Sequence, residues 1–248
     1  MIAIRNLKKS FQRQEVLKGL NFEVPEGKIT GIVGRSGCGK TVLLKHIIGL
    51  MKPDSGECLI AGEDITRVNG NRLNEIRKKF GMLFQTAALL DSMNVFENVA
   101  FPLREKTRLP DAEIRERTLT ELKNVGIVGM EEKYPSQLSG GMRKRVGLAR
   151  ALIMNPEIVL FDEPTTGLDP IMKKAIHQLI FETQRRVGCT AVVVSHDIPE
   201  VFEILDYIIM LHDGNVVEKG EPEQLQKSDN PIVQQFIKGE LEGPIRIT

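Results

Sequence analysis

The sequence predicts an α/β protein, and two kinds of segment support this prediction. Short apolar runs at residues 29–33, 158–161 and 191–194 are typical of buried strands in a parallel sheet. Residues 111–125 and 171–186 have the pattern of helices that follow or precede such strands. With 248 residues, the chain is long enough to bury a sizeable core.

The remaining elements follow from apolar runs and from the turn residues between them. Turns rich in Pro and Gly are predicted at 25–27 and 53–56. Further strands are predicted at 2–4, 20–24, 57–60, 81–84, 207–211 and 215–218, and further helices at 42–50, 72–79, 143–154 and 232–237. Between about residues 87 and 155 the pattern is mainly helical. Its first part, 87–103, is apolar, and we interpret it either as a core element or as a docking surface for a partner.

The composition narrows the class of protein. Lys and Arg total 34 against 33 acidic residues, so the charge balance does not predict a nucleic-acid binder. The three cysteines are widely spaced and form no C-x-x-C pair, which argues against a disulfide framework and a zinc site. Residues 1–5 have a strand pattern rather than that of a signal peptide. No apolar run approaches the roughly 20 residues that cross a bilayer, so we expect other chains to cross any membrane involved.

One loop matches the phosphate-loop pattern G-x-x-x-x-G-K-[ST], with a strand before it and a helix after it. Its residues are Gly34, Arg35, Ser36, Gly37, Cys38, Gly39, Lys40 and Thr41. Glycines let the main chain wrap closely around a polyphosphate, and the N–H groups at the helix start face the anion. Lys40 can reach the β- and γ-phosphates, and the Thr41 hydroxyl can ligate Mg²⁺. A glycine-rich turn that fits the pattern by chance is the alternative, but the flanking strand and helix favour a nucleoside triphosphate site.

Polar residues also follow three other predicted strands. Gln85 lies where its side chain can reach Mg²⁺ and the attacking water. Asp162 is predicted to help hold Mg²⁺, and Glu163 to polarise the attacking water as a general base. His196 follows the strand at 191–194, and ligands bind at that edge of a parallel sheet. We therefore expect His196 to contact the γ-phosphate.

A second anion-binding helix start is predicted at Ser139, Gly140 and Gly141, where a hydroxyl and a glycine pair open a helix. It faces either the same nucleotide or one held by another copy of the chain. The basic residues that follow, 143–145, are interpreted as a solvated or structural face rather than as a nucleic-acid contact.

Two residues keep alternative interpretations. Phe11 lies in the polar stretch 8–15, where its ring either stacks on a purine base or anchors a loop while half-buried. Cys38 lies inside the phosphate loop, where it is either a redox-active thiol or a small residue that fits.

In their order along the chain, these motifs resemble the ATPase subunits of ATP-binding-cassette (ABC) transporters. The resemblance covers essentially the whole chain and rests on the phosphate loop, Gln85, 138–142, 162–163, 167–169 and His196. It implies a RecA-like α/β core with an antiparallel β region, formed by 1–86 and 156–237. An inserted α-helical subdomain at 87–155 and a C-terminal tail at 238–248 complete the single domain.

The resemblance also implies a head-to-tail homodimer with two ATP molecules at its interface. In that arrangement Ser139 and Gly141 bind the γ-phosphate held by Lys40 of the other copy, and Asp169 lies across the interface and links the two sites. The sequence departs from the family pattern at Met142, where Gln is usual, and at Phe11, where Tyr is common. Met cannot hydrogen-bond a ribose as an amide does. With Glu163 and His196 both present, we still expect an active ATPase.

Residues 83–99 resemble more narrowly the lipid-transport branch that works with MCE-domain proteins, the Mla type, and Met142 and residues 235–239 point the same way. This resemblance implies phospholipid movement between the membranes of a double-membraned bacterium. The ATPase would lie on the cytoplasmic face of the inner membrane, with a permease and sometimes a small STAS-domain partner. The stretch 87–103 would receive the permease's coupling helix, and the tail would either clasp the neighbouring subunit or fray.

Two other functions stay open on the sequence alone. One is an importer or exporter ATPase for another solute, and the other is a soluble ABC-type switch that clamps an intracellular partner. A plain GTPase is disfavoured because the sequence lacks an N-K-x-D-type guanine-reading element.

Overall fold

The computed structural model describes residues 2–12 and 14–246, which divide into two compact units. The terminal unit consists of Met1–Arg77 and Thr190–Thr248, and the central unit consists of Lys78–Cys189. Within residues 2–12 and 14–246, no helix combines the length and the apolar character that spanning a membrane requires.

The strands, in chain order, are β1 (Ile2–Phe11), β2 (Gln14–Val24), β3 (Ile29–Val33), β4 (Ser55–Ile60), β5 (Glu63–Asp64), β6 (Phe80–Leu83), β7 (Ile158–Asp162), β8 (Thr190–Ser195), β9 (Tyr207–His212) and β10 (Asn215–Gly220). The α-helices are α1 (Lys40–Ile47), α2 (Gly70–Arg77), α3 (Val95–Lys106), α4 (Asp111–Asn124), α5 (Gly140–Leu152), α6 (Pro170–Val187), α7 (Pro222–Gln226) and α8 (Pro231–Lys238). Short 3₁₀ turns lie at Pro135–Gln137 and Glu200–Ile204.

The terminal unit contains an antiparallel sheet in the order β2-β1-β4-β5. In β2 the buried Leu20, Phe22 and Val24 alternate with exposed residues, whereas Ile2 and Ile4 of β1 and the residue between them are all buried. The polar stretch 8–15, predicted as a loop, instead extends β1 and β2 until Phe11 pairs with Gln14. The antiparallel pairing supplies hydrogen bonds to strand ends that have little apolar character of their own.

The terminal unit also contains the strands β10-β9-β3-β8 in that order. Strand β3 runs parallel to both β8 and β9, and its five residues are all buried, as its continuous apolar run predicts. The register pairs Val33 at the end of β3 with Ser195 at the end of β8. The residues that follow these two strands therefore emerge at the same edge of the sheet.

In the central unit, β6 and β7 are parallel, and Leu83 pairs with Phe161. Helix α3 begins at a capping box in which Asn94 Oδ1 accepts from the N–H of Glu97, at 2.8 Å, and Glu97 Oε2 accepts from the N–H of Asn94, at 2.9 Å. The helix continues through Pro102 to Lys106. Since its Val95, Val99 and Leu103 are buried, the stretch 87–103 contributes to the core of this unit.

Candidate functional site

The phosphate loop lies in the terminal unit, between β3 and α1, as predicted. Two of its glycines are required by geometry. Gly34 has φ 151°, and a Cβ there would lie 2.2 Å from the carbonyl oxygen of Leu211. Gly39 has φ 102° and precedes the first residue of α1, so it brings no capping side chain to the helix N-terminus. The main chain can therefore approach an anion at this helix end without steric hindrance from side chains.

Lys40 is 4 % exposed, and its ammonium is held against the loop. The Nζ atom donates to the carbonyl oxygens of Gly34, at 2.8 Å, and Arg35, at 2.9 Å. The positive charge is thus fixed at the loop, where Coulomb attraction to a polyphosphate is strengthened by the low local dielectric constant.

A cleft of about 290 Å³ borders the phosphate loop within the terminal unit. Its lining comes from β2, from the loop itself and from the turn between β9 and β10: Gln14, Glu15, Val16, Lys18, Arg35, Ser36, Gly37, Cys38, His212, Asp213 and Gly214. Burial raises the pKa of the Cys38 thiol, although the nearby charge of Lys40 acts in the opposite direction. A thiol that stays protonated is a poor nucleophile, which favours the interpretation of Cys38 as a small residue that fits.

His196 and the phosphate loop leave the same edge of the sheet. Val33 and Ser195 are paired neighbours, and Gly34 and His196 are the next residues of their chains. His196 is exposed. Its predicted location at the carboxyl ends of the parallel strands is therefore the observed one.

Phe11 ends β1 and is 42 % exposed. The ammonium of Lys9 lies 5.7 Å from the centroid of the ring. A ring of this exposure fits both interpretations from the sequence, stacking on a purine base and anchoring a loop while half-buried.

The central unit brings Gln85 and Glu163 together. Asp162 ends β7 and is 7 % exposed, and Glu163 follows it with φ 46°, in the left-handed region that non-glycine residues seldom adopt. Glu163 Oε2 accepts a hydrogen bond from Gln85 Nε2 at 3.4 Å and another from Thr166 Oγ1 at 3.0 Å. Strained main chain of this kind is enriched at functional sites, where the surroundings enforce it. Sequence reasoning missed Thr166, because a hydroxyl residue in a turn gives no distinctive signal.

The basic residues 143–145 each donate to a main-chain carbonyl of the central unit. Lys144 Nζ donates to the carbonyl of Gln85, Arg143 Nη1 to that of Leu138 at 2.7 Å, and Arg145 Nη1 to that of Val125 at 2.9 Å. These contacts are structural, which is one of the two interpretations predicted for this face. Lys144 is 5 % exposed, and burial lowers its pKa against the opposing influence of Asp162 and Glu163.

The remaining predicted site residues open two helices of the central unit. Ser139 is the N-cap of α5, where its Oγ accepts from the N–H of Met142 at 3.3 Å. Asp169 is the N-cap of α6, where it accepts from the N–H groups of Ile171 and Met172 at 3.0 and 3.1 Å. Both side chains are exposed, and both stabilise a helix start whatever else they bind.

Gly140 and Gly141 form the first turn of α5. A Cβ on Gly141 would lie 2.3 Å from Met172 Cε, the flexible end of a side chain that can move aside. Packing therefore does not demand the glycine pair, and an anion-binding role remains the better physical reason for it.

Comparison with known proteins gives the family. Residues 17–166 match the family described as "ABC transporter". Over 248 residues the chain is 46 % identical to the "Intermembrane phospholipid transport system ATP-binding protein MlaF" of Haemophilus influenzae, covering 99 % of this chain and 93 % of that protein. It is also 42 % identical to the "Probable ribonucleotide transport ATP-binding protein mkl" of Mycobacterium leprae, covering 98 % of this chain and 70 % of that protein.

A solved structure described as a dimeric post-hydrolysis state of an ATP-binding cassette bound to ADP and Pi superimposes with a TM-score of 0.82. The two sequences are 35 % identical, and the superposition covers 90 % of this chain and 99 % of the chain in the solved structure. This likeness confirms the predicted fold class, that of an ABC nucleotide-binding domain. The chain belongs to the ABC transporter family and is one of its ATP-hydrolysing subunits.

Proposed function

We propose that the chain powers the movement of phospholipid between the membranes of a double-membraned bacterium. The identity of 46 % over 99 % of the chain to a protein named for intermembrane phospholipid transport supports this cargo most strongly. The narrower resemblance of residues 83–99 to the Mla type, found from the sequence, supports the same conclusion.

ATP binding rests on the phosphate loop. The N–H groups at the start of α1 and the ammonium of Lys40 hold the phosphates, and Phe11 stacks on the base. Arg35, Ser36, Gly37 and Cys38 complete the loop around the anion.

The residues present fit Mg²⁺. Thr41, Gln85 and Asp162 offer hard oxygen donors, and no group of three or more His, Cys, Asp or Glu among the described residues forms a metal cage. Mg²⁺ is usually held by one or two protein groups together with substrate phosphates, which matches this sparse set. When bound, Mg²⁺ neutralises charge that develops on the transferred phosphoryl group.

Hydrolysis depends on proton removal from water. Glu163 takes the proton as general base, while Gln85 orients the water and His196 contacts the γ-phosphate. The contacts of Glu163 Oε2 with Gln85 and Thr166 support this role, because they fix the carboxylate at the end of β7. A fixed base removes a proton without first losing its own conformational freedom.

The working form in this proposal is a head-to-tail homodimer. Ser139, Gly140 and Gly141 of one copy bind the γ-phosphate held by the other copy, and Asp169 links the two sites. The exposed apolar side chains of Phe84, Leu90 and Phe101 support a docking surface for permease subunits in the membrane. The ATPase then lies on the cytoplasmic face of the inner membrane, and the transporter includes an MCE-domain protein and, in some assemblies, a STAS-domain protein.

Affinity purification tests these partners. The chain is purified from detergent-solubilised native membranes, and the proteins and lipids that accompany it are identified by mass spectrometry. We expect a multi-pass permease, an MCE-domain protein and phospholipid. The chain carries an affinity tag for this purpose. Two controls measure lipid that binds non-specifically: the same purification with Lys40→Ala, and a purification from cells whose chain has no tag. A permease that arrives without an MCE-domain protein and without phospholipid would refute the proposed cargo.

Transport of another solute is the second candidate. The mycobacterial relative, 42 % identical, has a name that refers to ribonucleotide transport. A permease that co-purifies with a nucleotide or another small solute would favour this function while leaving the ATPase assignment intact.

A further inference from the structure

Helix α5 holds the loop that contains Gln85 through two cations, the buried Lys144 and the half-buried Arg150. Lys144 Nζ donates to the main-chain oxygen of Gln85. Two turns further along α5, Arg150 donates through Nη2 to the oxygen of Ala87 at 2.7 Å and through Nη1 to that of Ala88 at 2.8 Å. This is the helix that begins at Ser139.

Close packing places the loop directly against α5. Gly147 lies on the same face of the helix as the two cations. A Cβ at Gly147 would lie 2.8 Å from Leu83 Cδ1 and 3.1 Å from the Cβ of Ala87. Because Gly147 has no side chain, helix and loop are in direct contact at this point.

The main chain of the loop is strained. Ala87 has φ 62° and Ala88 has φ 45°, both in the left-handed region that alanine avoids. Such a conformation persists only where neighbouring groups enforce it. The guanidinium of Arg150 donates to both of these carbonyls, and Lys144 donates to the carbonyl of Gln85 at the start of the same loop.

The other end of the loop reaches the proposed general base. The side chain of Gln85 contacts Glu163 Oε2 at 3.4 Å, while the main-chain oxygen of the same residue accepts from Lys144. A change in the main-chain position of Gln85 therefore changes the position of its amide at Glu163.

We propose that Lys144 is a positioning residue for hydrolysis, which fixes the main chain at Gln85 and thereby the contact between the Gln85 amide and Glu163. This inference rests on the proposed roles of Gln85 and Glu163. Lys144 is 5 % exposed, and its ammonium donates to the main-chain oxygen of Gln85, so we expect it to act on the loop rather than on the nucleotide.

The test measures steady-state ATP hydrolysis and ATP affinity of the full-length chain carrying Lys144→Met, which keeps the apolar stem and removes the donor. We expect kcat to fall by roughly ten- to a hundredfold, the range for a displaced catalytic contact, with the Kd for ATP changed less than about twofold. Lys144→Arg retains a cationic donor and should recover most of kcat. Lys123→Met removes an exposed ammonium from the same unit and should leave kcat unchanged.

The same substitution made in a Gln85→Ala variant tells whether Lys144 positions the Gln85 amide or only stabilises the fold. If Lys144 acts through the Gln85 amide, then Lys144→Met should lower kcat by less than about twofold once Gln85 is already Ala. An equal loss in both backgrounds, or a failure of Lys144→Arg to recover activity, would overturn the proposal. If the Met variant does not fold, Lys144→Gln takes its place in the same comparison.

The variant Glu163→Gln separates a failure of the positioning role of Lys144 from a failure of the general-base role of Glu163. If Glu163→Gln abolishes hydrolysis and Lys144→Met leaves kcat intact, only the inference about Lys144 is wrong. If Glu163→Gln hydrolyses ATP normally, the proposed general base is wrong and the inference about Lys144 fails with it.

Discussion

Glu163 is the residue on which the proposed chemistry depends most. Its carboxylate is held by Gln85 and Thr166, and its main chain has φ 46°. Replacement by Gln keeps the shape and removes the base. We expect Glu163→Gln to bind ATP while kcat falls by about 10²- to 10⁴-fold, the usual contribution of a general base, and to accumulate as an ATP-bound dimer.

A hydrolysis assay, an ATP titration and size-exclusion chromatography check this expectation. Glu157→Gln is the matched control, because Glu157 lies just before the same strand and forms an ion pair with Lys79 at the surface, at 2.9 Å. Hydrolysis by Glu163→Gln at a rate close to that of Glu157→Gln would exclude the general-base role.

Lys40 is expected to act in binding rather than in proton transfer. Lys40→Ala removes the ammonium now held by the oxygens of Gly34 and Arg35. Because a hydrogen bond to a charged group contributes about 1.5–3 kcal/mol, the Kd for ATP should rise by at least roughly tenfold. A direct titration with ATP checks this, and an unchanged Kd would count against the phosphate-binding role.

The protonation of the buried His46 is expected to make the folding stability of the chain depend on pH. This side chain of α1 is 1 % exposed, its Nδ1 contacts the carbonyl of Val42 at 2.7 Å, and its buried Nε2 has no hydrogen-bond partner among the described residues. Burial lowers the pKa of His46 below 6.5, and the charge of Lys9 acts in the same direction. Below pH 6.5 the unfolded chain therefore binds the proton more readily than the folded chain does, so stability should fall as pH decreases.

Thermal unfolding at a series of pH values from about 7.5 to 5 tests this expectation. The decline in Tm should be smaller in His46→Gln than in the unmodified chain. A slope that is identical with and without His46 would contradict the assignment.

At the scale of elements, the C-terminal segment is held by one buried amide. Gln235 of α8 is 4 % exposed, accepts from the N–H of Ile245 at 2.7 Å, and donates to the carbonyls of Ile245 and Glu240 at 3.2 Å each. Arg35 Nη1 also donates to the oxygen of Arg246 at 2.7 Å. The segment from Glu240 to Arg246 is therefore anchored to its own unit and is not frayed, while residues 247–248 of the predicted tail lie outside the described residues.

We expect Gln235→Ala to lower the free energy of unfolding by about 1–3 kcal/mol, because it leaves buried main-chain groups without partners. Urea denaturation measures this loss, and limited proteolysis should show earlier cleavage after residue 238. Gln178→Ala, at an exposed position of α6, is the control. Equal stability of the two variants would show that the amide does not hold the tail.

The elements with continuous apolar runs were predictable. Strand β3 has the predicted bounds of 29–33, and β7 and β8 extend the predicted runs by only one or two residues. The outer parts of β1 and β2 were missed, because a sheet that is solvated on one face needs few apolar residues at its ends. Their pairing comes from tertiary contacts that a single segment of sequence does not encode.

The candidate site was predictable where a motif combines residue type with spacing. The phosphate loop after β3, the acidic pair at the end of β7 and His196 after β8 all occupy the predicted ends of strands. Lys144 was not predictable as a buried residue, since lysine is almost never fully buried without a partner, and its partner is a main-chain oxygen. No side-chain pattern reveals such a contact.

At the scale of the whole molecule, the chain is an ATPase, and we propose that its hydrolysis is coupled to a membrane process carried out by other chains. The division into 1–86 with 156–237, and a helical subdomain at 87–155, remains our proposal for its functional organisation. Membership in the family shows that the chain is an ATPase. The identity of the transported cargo needs direct measurement.

The most direct test is phospholipid transfer by the complete complex, purified through this chain and reconstituted in liposomes. Labelled phospholipid movement is followed with ATP and Mg²⁺, and complexes carrying Glu163→Gln or Glu157→Gln serve as the inactive and active controls. The account predicts transfer that requires ATP, persists with Glu157→Gln and stops with Glu163→Gln. Active ATP hydrolysis that moves another solute, and leaves phospholipid where it is, would contradict it.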